Sequence, residues 1–394
     1  MAWPTKQQRK QKQMKKTMRT IAIILMIILL AGMGVVYCLY PDMVKGWLGL
    51  NTVLTDPADA SVGETVTLAD GDCSVHFLEL GNEYAGDCIL IKVGTTEVLI
   101  DAGSKTNSID VISAYIDKYV TDKNSNDERI LEYVIATHAH EDHIACFGGS
   151  TSSSYRTIFD RYDCRTIIDF PLTDSTSKLY GRYIAERDAE VANGAVRYSA
   201  LECYNNQNGA QRVYDLGSGV TMEILYNYYY DHKASDENDY SVCVMITDGE
   251  YKYLLTGDLE GDGEEYLVEY NNLSDVDVFK AGHHGSPSSS TDTLLAVAKP
   301  SIVVFTAVMG AYEYTDNIDN VFPSLQACKN VSKYTGNMYV TSYYNEAEDE
   351  TESYNGNIVI VSNDSGIKVV CSNKADTMVT SSWYQTNRAP KISA

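Results

Sequence analysis

Along most of the chain, short apolar runs alternate with polar turns, and one long apolar run stands apart from them. Residues 21–40 (IAIILMIILLAGMGVVYCLY) are 20 consecutive positions without a charge. As a helix rising ~1.5 Å per residue, this run spans the ~30 Å hydrocarbon layer of a bilayer. It predicts a single transmembrane anchor. Polar residues with scattered Pro and Gly over 41–71 predict a stalk. Strand-like runs then follow at Ser74–Leu80, Cys88–Val93, Glu97–Asp101 and Leu131–Ala136. Further runs lie at Thr166–Asp169, Val220–Tyr226, Ser241–Thr247, Tyr251–Thr256, Val276–Lys280 and Ile302–Thr306, and closing ones at Met338–Tyr343, Asn357–Val361 and Ile367–Cys371. Helical spacing appears at Ser108–Tyr119, where Ile109, Ile112, Tyr115, Ile116 and Tyr119 share a stripe, and near Ser324–Val331. Strands and helices alternate in two successive sets without an interior linker. This predicts one α/β domain over 72–372, followed by a polar tail over 373–394 in which Trp383 and Tyr384 are candidates to dock.

Charge divides the chain in two. Lys6, Arg9, Lys10, Lys12, Lys15, Lys16 and Arg19 all precede the apolar run, and residues 1–40 contain no acidic residue. The positive-inside rule therefore makes 1–20 a basic cytoplasmic tail and places the chain beyond about residue 41 outside the membrane. A cleaved signal peptide is the competing reading, but its apolar region is usually ~7–15 residues with a small-residue cleavage site, which this run lacks. The remaining 354 residues hold 24 Lys plus Arg against 54 Asp plus Glu, a net −30. That balance argues against a basic, non-specific nucleic-acid-binding protein. None of the nine cysteines shows C-x-x-C spacing, so a thiolate zinc site is not indicated. Most sit in apolar strands and read as buried thiols. Cys73 and Cys88 flank one hairpin and are the pair to test for a disulfide.

The chemistry concentrates in Thr137-His138-Ala139-His140-Glu141-Asp142-His143, which holds three of the seven histidines directly after a strand. Side chains at i and i+2 of an extended segment share a face, so His138 and His140 can grip one ion. Asp142 and His143 follow where the chain turns and reach a second ion. Imidazole and carboxylate suit zinc, with manganese or iron where oxygen ligands dominate.

This H-x-H-x-D-H run resembles the signature of the metallo-β-lactamase fold hydrolases, and other segments follow that family in order. Leu99-Ile100-Asp101-Ala102-Gly103 is similar to its first motif, and Leu254-Leu255-Thr256-Gly257-Asp258 to its Gly-Asp motif. Asp277-Val278-Phe279-Lys280-Ala281-Gly282-His283-His284-Gly285-Ser286 resembles its closing His motif in the form seen in the ComEC-type branch. Val75-His76-Phe77-Leu78-Glu79-Leu80-Gly81, Gly86-Asp87 and Asn238-Asp239-Tyr240-Ser241 match that branch as well. The resemblance covers about 73–371. It implies an αββα four-layer sandwich behind the anchor, and two divalent ions, zinc with manganese as the alternative. The ligands it implies are His138, His140, Asp142, His143, Asp258 and one of His283 and His284. Asp258 would bridge the ions, Asp142 would also orient the nucleophile, and Asp101 would support the ligands from behind. His283 or His284, or a serine of Ser286–Ser290, would stabilise developing charge. His76 reads as structural, and Tyr226–Tyr230 as packing.

Two departures matter. A further His expected before the strand leading to Gly-Asp is missing: His232 or Asn238 serves there, or the first ion has only His138, His140, Asp258 and water. Phe322-Pro323 stands where relatives carry His-Pro. The implied activity is extracytoplasmic hydrolysis of phosphodiesters, in DNA or in a cell-wall or small-molecule substrate, by a metal-bound hydroxide. A non-catalytic binding module on a degenerate scaffold is the alternative. No protein partner is implied.

Overall fold

The computed structural model describes residues 58–63, 66–69, 71–151 and 155–392. The basic tail and the predicted span over 21–40 lie outside them. Among the described residues no helix is long and apolar enough to cross a membrane.

Two sheets form the centre. The first runs in the order β1 (Asp59–Val62), β17 (Gly366–Cys371), β16 (Ile358–Asn363), β2 (Cys73–Phe77), β3 (Ile89–Val93), β4 (Thr96–Ile100), β5 (Ile130–Ala136), β6 (Asp163–Asp169), β7 (Val196–Ser199). The second runs β15 (Glu350–Ser353), β14 (Met338–Asn345), β13 (Ile302–Met309), β12 (Val278–Lys280), β11 (Tyr251–Leu255), β10 (Val244–Asp248), β9 (Val220–Ile224), β8 (Val213–Gly217). Pairing is parallel from β4 to β7 and from β11 to β14, the arrangement expected where strands are joined by crossovers.

The period-2 alternation of the second sheet sorts its side chains between two cores. Tyr253, Leu255, Val278, Ile302 and Val304 join the core that includes the first sheet. Leu254, Phe279, Val303 and Phe305 point the other way, into a core with helices α4 (Gly261–Tyr270), α5 (Asp292–Ala298) and α6 (Leu325–Val331). Helices α1 (Ile109–Tyr119), α2 (Glu141–Gly148) and α3 (Lys178–Asn193) pack with the first sheet. Two mixed sheets with helices on their outer faces are the predicted α/β class.

Three expectations change. The segment read as a stalk contributes β1, which pairs in parallel with β17, and Val66 packs on Val359, Val361 and Val370. A sheet edge carries unpaired backbone groups that any extended segment can satisfy, so the short polar Asp59–Val62 run had no alternation to announce it. The polar tail docks more extensively than its two candidate aromatic residues: Tyr384 is buried, Trp383 packs against the same core, and Met378 and Arg388 are buried as well. Arg388 donates to the carbonyls of Pro323 at 2.9 Å, Ile318 at 3.0 Å and Val321 at 2.8 Å. Lastly, Cys73 pairs with Val93 while the Cys88 carbonyl accepts the Leu78 N–H, which puts the two thiols at opposite ends of their hairpin. Five strand residues separate them, roughly 17 Å at ~3.3 Å per residue, beyond disulfide reach. All eight described cysteines are free and buried.

Candidate metal centre

The centre gathers at the carboxyl ends of parallel strands, where loops from both sheets meet. After β5, Thr137–His140 runs on extended, and His140 caps α2. His138 Nε2 consequently lies 3.1 Å from His140 Nδ1. The first turn of α2 brings Asp142 and His143 back toward the strand ends. Asp101, just past β4, has φ 58°, a strained conformation for a non-glycine residue. Its carboxylate accepts the Thr137 N–H at 2.8 Å and hydroxyl at 2.7 Å, and meets His143 Nδ1 at 2.7 Å. Gly103 is needed beside it, because a Cβ there would sit 2.0 Å from the Asp142 carbonyl oxygen.

The second sheet supplies the facing half. Asp258 follows β11, and its N–H donates to Ser241 Oγ at 3.1 Å. Lys280 closes β12, and Thr306 lies on β13 with its carbonyl 2.9 Å from His284 Nδ1. His283 and His284 both adopt left-handed backbone, at φ 46° and 55°, so that successive imidazoles face different surroundings. Asp87 connects the halves: its Oδ2 is 2.6 Å from Lys280 Nζ, and its Oδ1 accepts the Thr306 hydroxyl at 2.5 Å.

Asp142, His143, Asp258 and His284 offer ligand atoms that all lie within 4.8 Å of one another. Asp258 Oδ2 is 3.0 Å from His143 Nε2 and 3.2 Å from His284 Nε2, and Asp142 Oδ2 is 3.5 Å from His284 Nε2. Close as they are, His143 Nε2, His284 Nε2 and Asp258 Oδ2 are buried with no hydrogen-bond partner. The three atoms lie close together without a hydrogen bond to satisfy any of them. Two ligands ~2.0–2.1 Å from one tetrahedral ion stand roughly 3.3 Å apart, so these residues fit a divalent cation. His138 Nε2 and His140 Nδ1, 3.1 Å apart, are within hydrogen-bond distance of each other and join neither close group of ligand atoms among the described residues.

The electrostatics are those of clustered carboxylates around imidazole. Burial opposes charge on His143, but Asp258 and Asp101 hold it protonated well above the usual histidine range. For His284, burial is likewise outweighed by Asp258, Asp87 and Asp142, which push it up to about 10. Burial works against the Asp258 carboxylate too, yet His143, His284 and Lys280 keep it ionised far below the ordinary range. His138 goes the other way, lowered by burial and by the neighbouring His143 and His140.

Other expected residues stand apart from this cluster. His283 Nδ1 meets Glu260 Oε1 at 3.2 Å, its Nε2 is 4.0 Å from Asp258 Oδ2, and the side chain is 22% exposed. His232 is exposed and stacks on Tyr228 with ring centroids 3.8 Å apart, so it does not reach in. Asn238 is buried with its Oδ1 unpartnered. Asp87, Ser241, Glu260, Lys280 and Thr306 were not expected as site residues. Asp87, Ser241 and Lys280 had a signal, the first two within matched motifs and Lys280 as a lone cation closing an apolar strand.

Residues 81–152 and 236–306 match the family model of the metallo-beta-lactamase superfamily. These two stretches carry every residue of the cluster. The chain contains a metallo-beta-lactamase superfamily domain. This domain is 32% identical over 89 residues to Recombination protein 2 of Haemophilus influenzae, covering 23% of this chain and 11% of that protein. It is 29% identical over 134 residues to Competence protein ComA of Neisseria gonorrhoeae, covering 33% of this chain and 19% of that protein. ComE operon protein 3 of Bacillus subtilis matches at 30% over 73 residues, covering 18% and 9%. The chain thus spans at most a fifth of these relatives, which place its metallo-beta-lactamase domain with the ComEC-type branch. Among solved structures, the metallo-beta-lactamase fold protein YhfI of Bacillus subtilis aligns with 74% of this chain and 100% of its own at 13% identity and a TM-score of 0.40.

Proposed function

We propose that the chain is a membrane-anchored, extracytoplasmic, metal-dependent hydrolase of phosphodiesters. The observation that carries this reading is the convergence of three buried, unpartnered ligand atoms, on His143, Asp258 and His284. Asp142, His143, Asp258 and His284 would hold a divalent ion, with His138 and His140 offering a further pair of imidazoles, and bound metal would supply Lewis-acid activation of water and of the phosphoryl oxygen. The remaining work falls to the chain itself. Asp142 is the part-exposed member of the cluster; burial works against its charge, but His284 and His143 hold it ionised below the usual carboxylate range, and it orients the attacking water. His283 faces the opening beside it. Glu260 fixes the ring, and the Ser288 hydroxyl fixes Glu260 at 2.8 Å, which leaves Nε2 to hydrogen-bond the leaving oxygen. Phe322, 6.0 Å from His283 between ring centroids, walls that side with an apolar surface.

The names of the relatives, recombination and competence proteins, support DNA as the phosphodiester. The net −30 beyond residue 40 supports a smaller or wall-derived one. The test is the full chain in detergent, loaded with Zn²⁺ or Mn²⁺ and given single-stranded DNA and a choline phosphodiester in separate reactions. Metal-dependent cleavage of one substrate, lost in folded His140→Ala and Asp258→Ala protein, is the expected result. A metal-loaded chain inert toward both, or variants that retain turnover, overturns the proposal.

A further inference from the structure

We infer that Lys280 is a fixed cation built into the centre: a positioning residue that restricts Asp258 to one ligating oxygen and makes the two halves of the site load metal unequally. The inference rests on the metal-centre reading above.

Alternation along β12 puts Lys280 on the same side as Val278, between the two sheets and against the strand ends that carry the ligands. It is fully buried, in a strand whose other members are Val278 and Phe279. An ammonium in such surroundings is costly to desolvate unless each of its donors is satisfied. Here all three are. Nζ lies 2.6 Å from Asp87 Oδ2, 3.2 Å from Asp258 Oδ1 and 3.1 Å from the Gly257 carbonyl. No donor is left over, so the group is structurally committed to these partners.

The consequence falls on Asp258. Its Oδ1 is occupied by Lys280, and only Oδ2, unpartnered and near His143 and His284, is presented to an ion. On that side the ion meets two carboxylates, Asp142 and Asp258, and two imidazoles. Among the described residues no third ligand atom lies as close to both His138 and His140, and the neutral Asn238 amide stands where a further His was expected. Lys280 also supplies positive charge among Asp87, Asp101, Asp142 and Asp258, which lessens the electrostatic demand for a second cation. One ion therefore binds tightly at Asp142, His143, Asp258 and His284, and the His138–His140 side fills only at higher metal concentration.

The test is zinc titration of the stripped full chain in detergent against a chromogenic chelator, with bound metal confirmed by elemental analysis. Wild type is expected to take one equivalent tightly and a second at least tenfold more weakly. In Lys280→Met, similar in length but uncharged, the second equivalent tightens tenfold or more; in Lys280→Arg the unequal loading remains. Two equally tight equivalents in wild type, or a second equivalent unchanged in Lys280→Met, overturns the inference while leaving the metal centre standing. If wild type binds no zinc tightly, the metal-centre reading itself fails. Should Lys280→Met not fold, the two-step loading of wild type decides alone.

Discussion

Nδ1 of His143 lies 2.7 Å from Oδ2 of Asp101, with both side chains buried, and this contact aims the opposite nitrogen of His143 at Asp258. A partner of this kind sets both the tautomer and the orientation of a ligating imidazole. Asp101 does so from a strained backbone position, tied down by the N–H and hydroxyl of Thr137.

Asp101→Asn keeps the shape but removes the charge that holds the ring. It is expected to weaken metal binding about 10–100-fold with the fold retained. Competition with a chelator measures this directly. An affinity within twofold of wild type contradicts the assigned role.

Metal binding is expected to expel protons. Without an ion, His143 is protonated well above the ordinary range and His284 up to about 10, so both carry a proton at pH 7. Ligating imidazoles must be neutral, and binding at pH 7 therefore releases about two protons. Because the folded pKa values are raised, competition by protons eases as pH rises from 7 toward 10, and affinity increases over that window. Calorimetric titration in two buffers of different ionisation heat counts the protons. A count of zero is incompatible with these ligands.

His76 governs acid stability. It is buried in β2, with Tyr115 Oη at 2.8 Å on one nitrogen and Ser74 Oγ at 2.9 Å on the other. Burial, reinforced by Lys92 and Lys118, lowers its pKa from 6.5 to about 3. The folded value is depressed, so the unfolded chain takes up a proton first: stability is full above pH 6.5 and falls as pH drops toward 3. The loss is roughly 1.4 kcal/mol per pH unit over that window. Urea denaturation at pH 7 and pH 4.5 should show it. In His76→Phe the slope between these points should flatten; an unchanged slope assigns acid sensitivity elsewhere.

Arg388 is the strongest reason to regard the C-terminal segment as part of the domain. Arg388→Met leaves the carbonyls of Ile318, Val321 and Pro323 without their donor. At ~1–3 kcal/mol per buried unsatisfied group, the expected loss is about 3 kcal/mol or more by urea denaturation. A loss below ~0.5 kcal/mol, the range of ordinary surface changes, would show that the segment only rests on the surface.

What could be read in advance follows from how each residue announces itself. The histidine run could be read because its ligands are neighbours in the chain, and extended geometry alone pairs His138 with His140. Asp101 and Asp258 follow strands with strong apolar patterns. Asp87 and Lys280 lie 193 positions apart in the numbering, and their 2.6 Å contact arises only when the two sheets pack. Helix α3 was missed because it buries just Leu179 and Tyr183 along its whole length, too thin a stripe for a periodicity argument. The segments around β1 and Arg388 were misread for a common reason. Hydrogen bonds to backbone groups carry much of their attachment, and the few apolar anchors, Val66 in one and Met378 and Tyr384 in the other, are too sparse to form a periodic pattern.

The most direct measurement of the central claim is hydrolysis of bis(p-nitrophenyl) phosphate by the full chain in detergent, before and after chelator stripping and then with metal restored. The account predicts turnover that disappears on stripping, returns with Zn²⁺ or Mn²⁺, and is absent from a folded Asp142→Ala variant. Turnover that survives stripping, or that persists in Asp142→Ala, would contradict it.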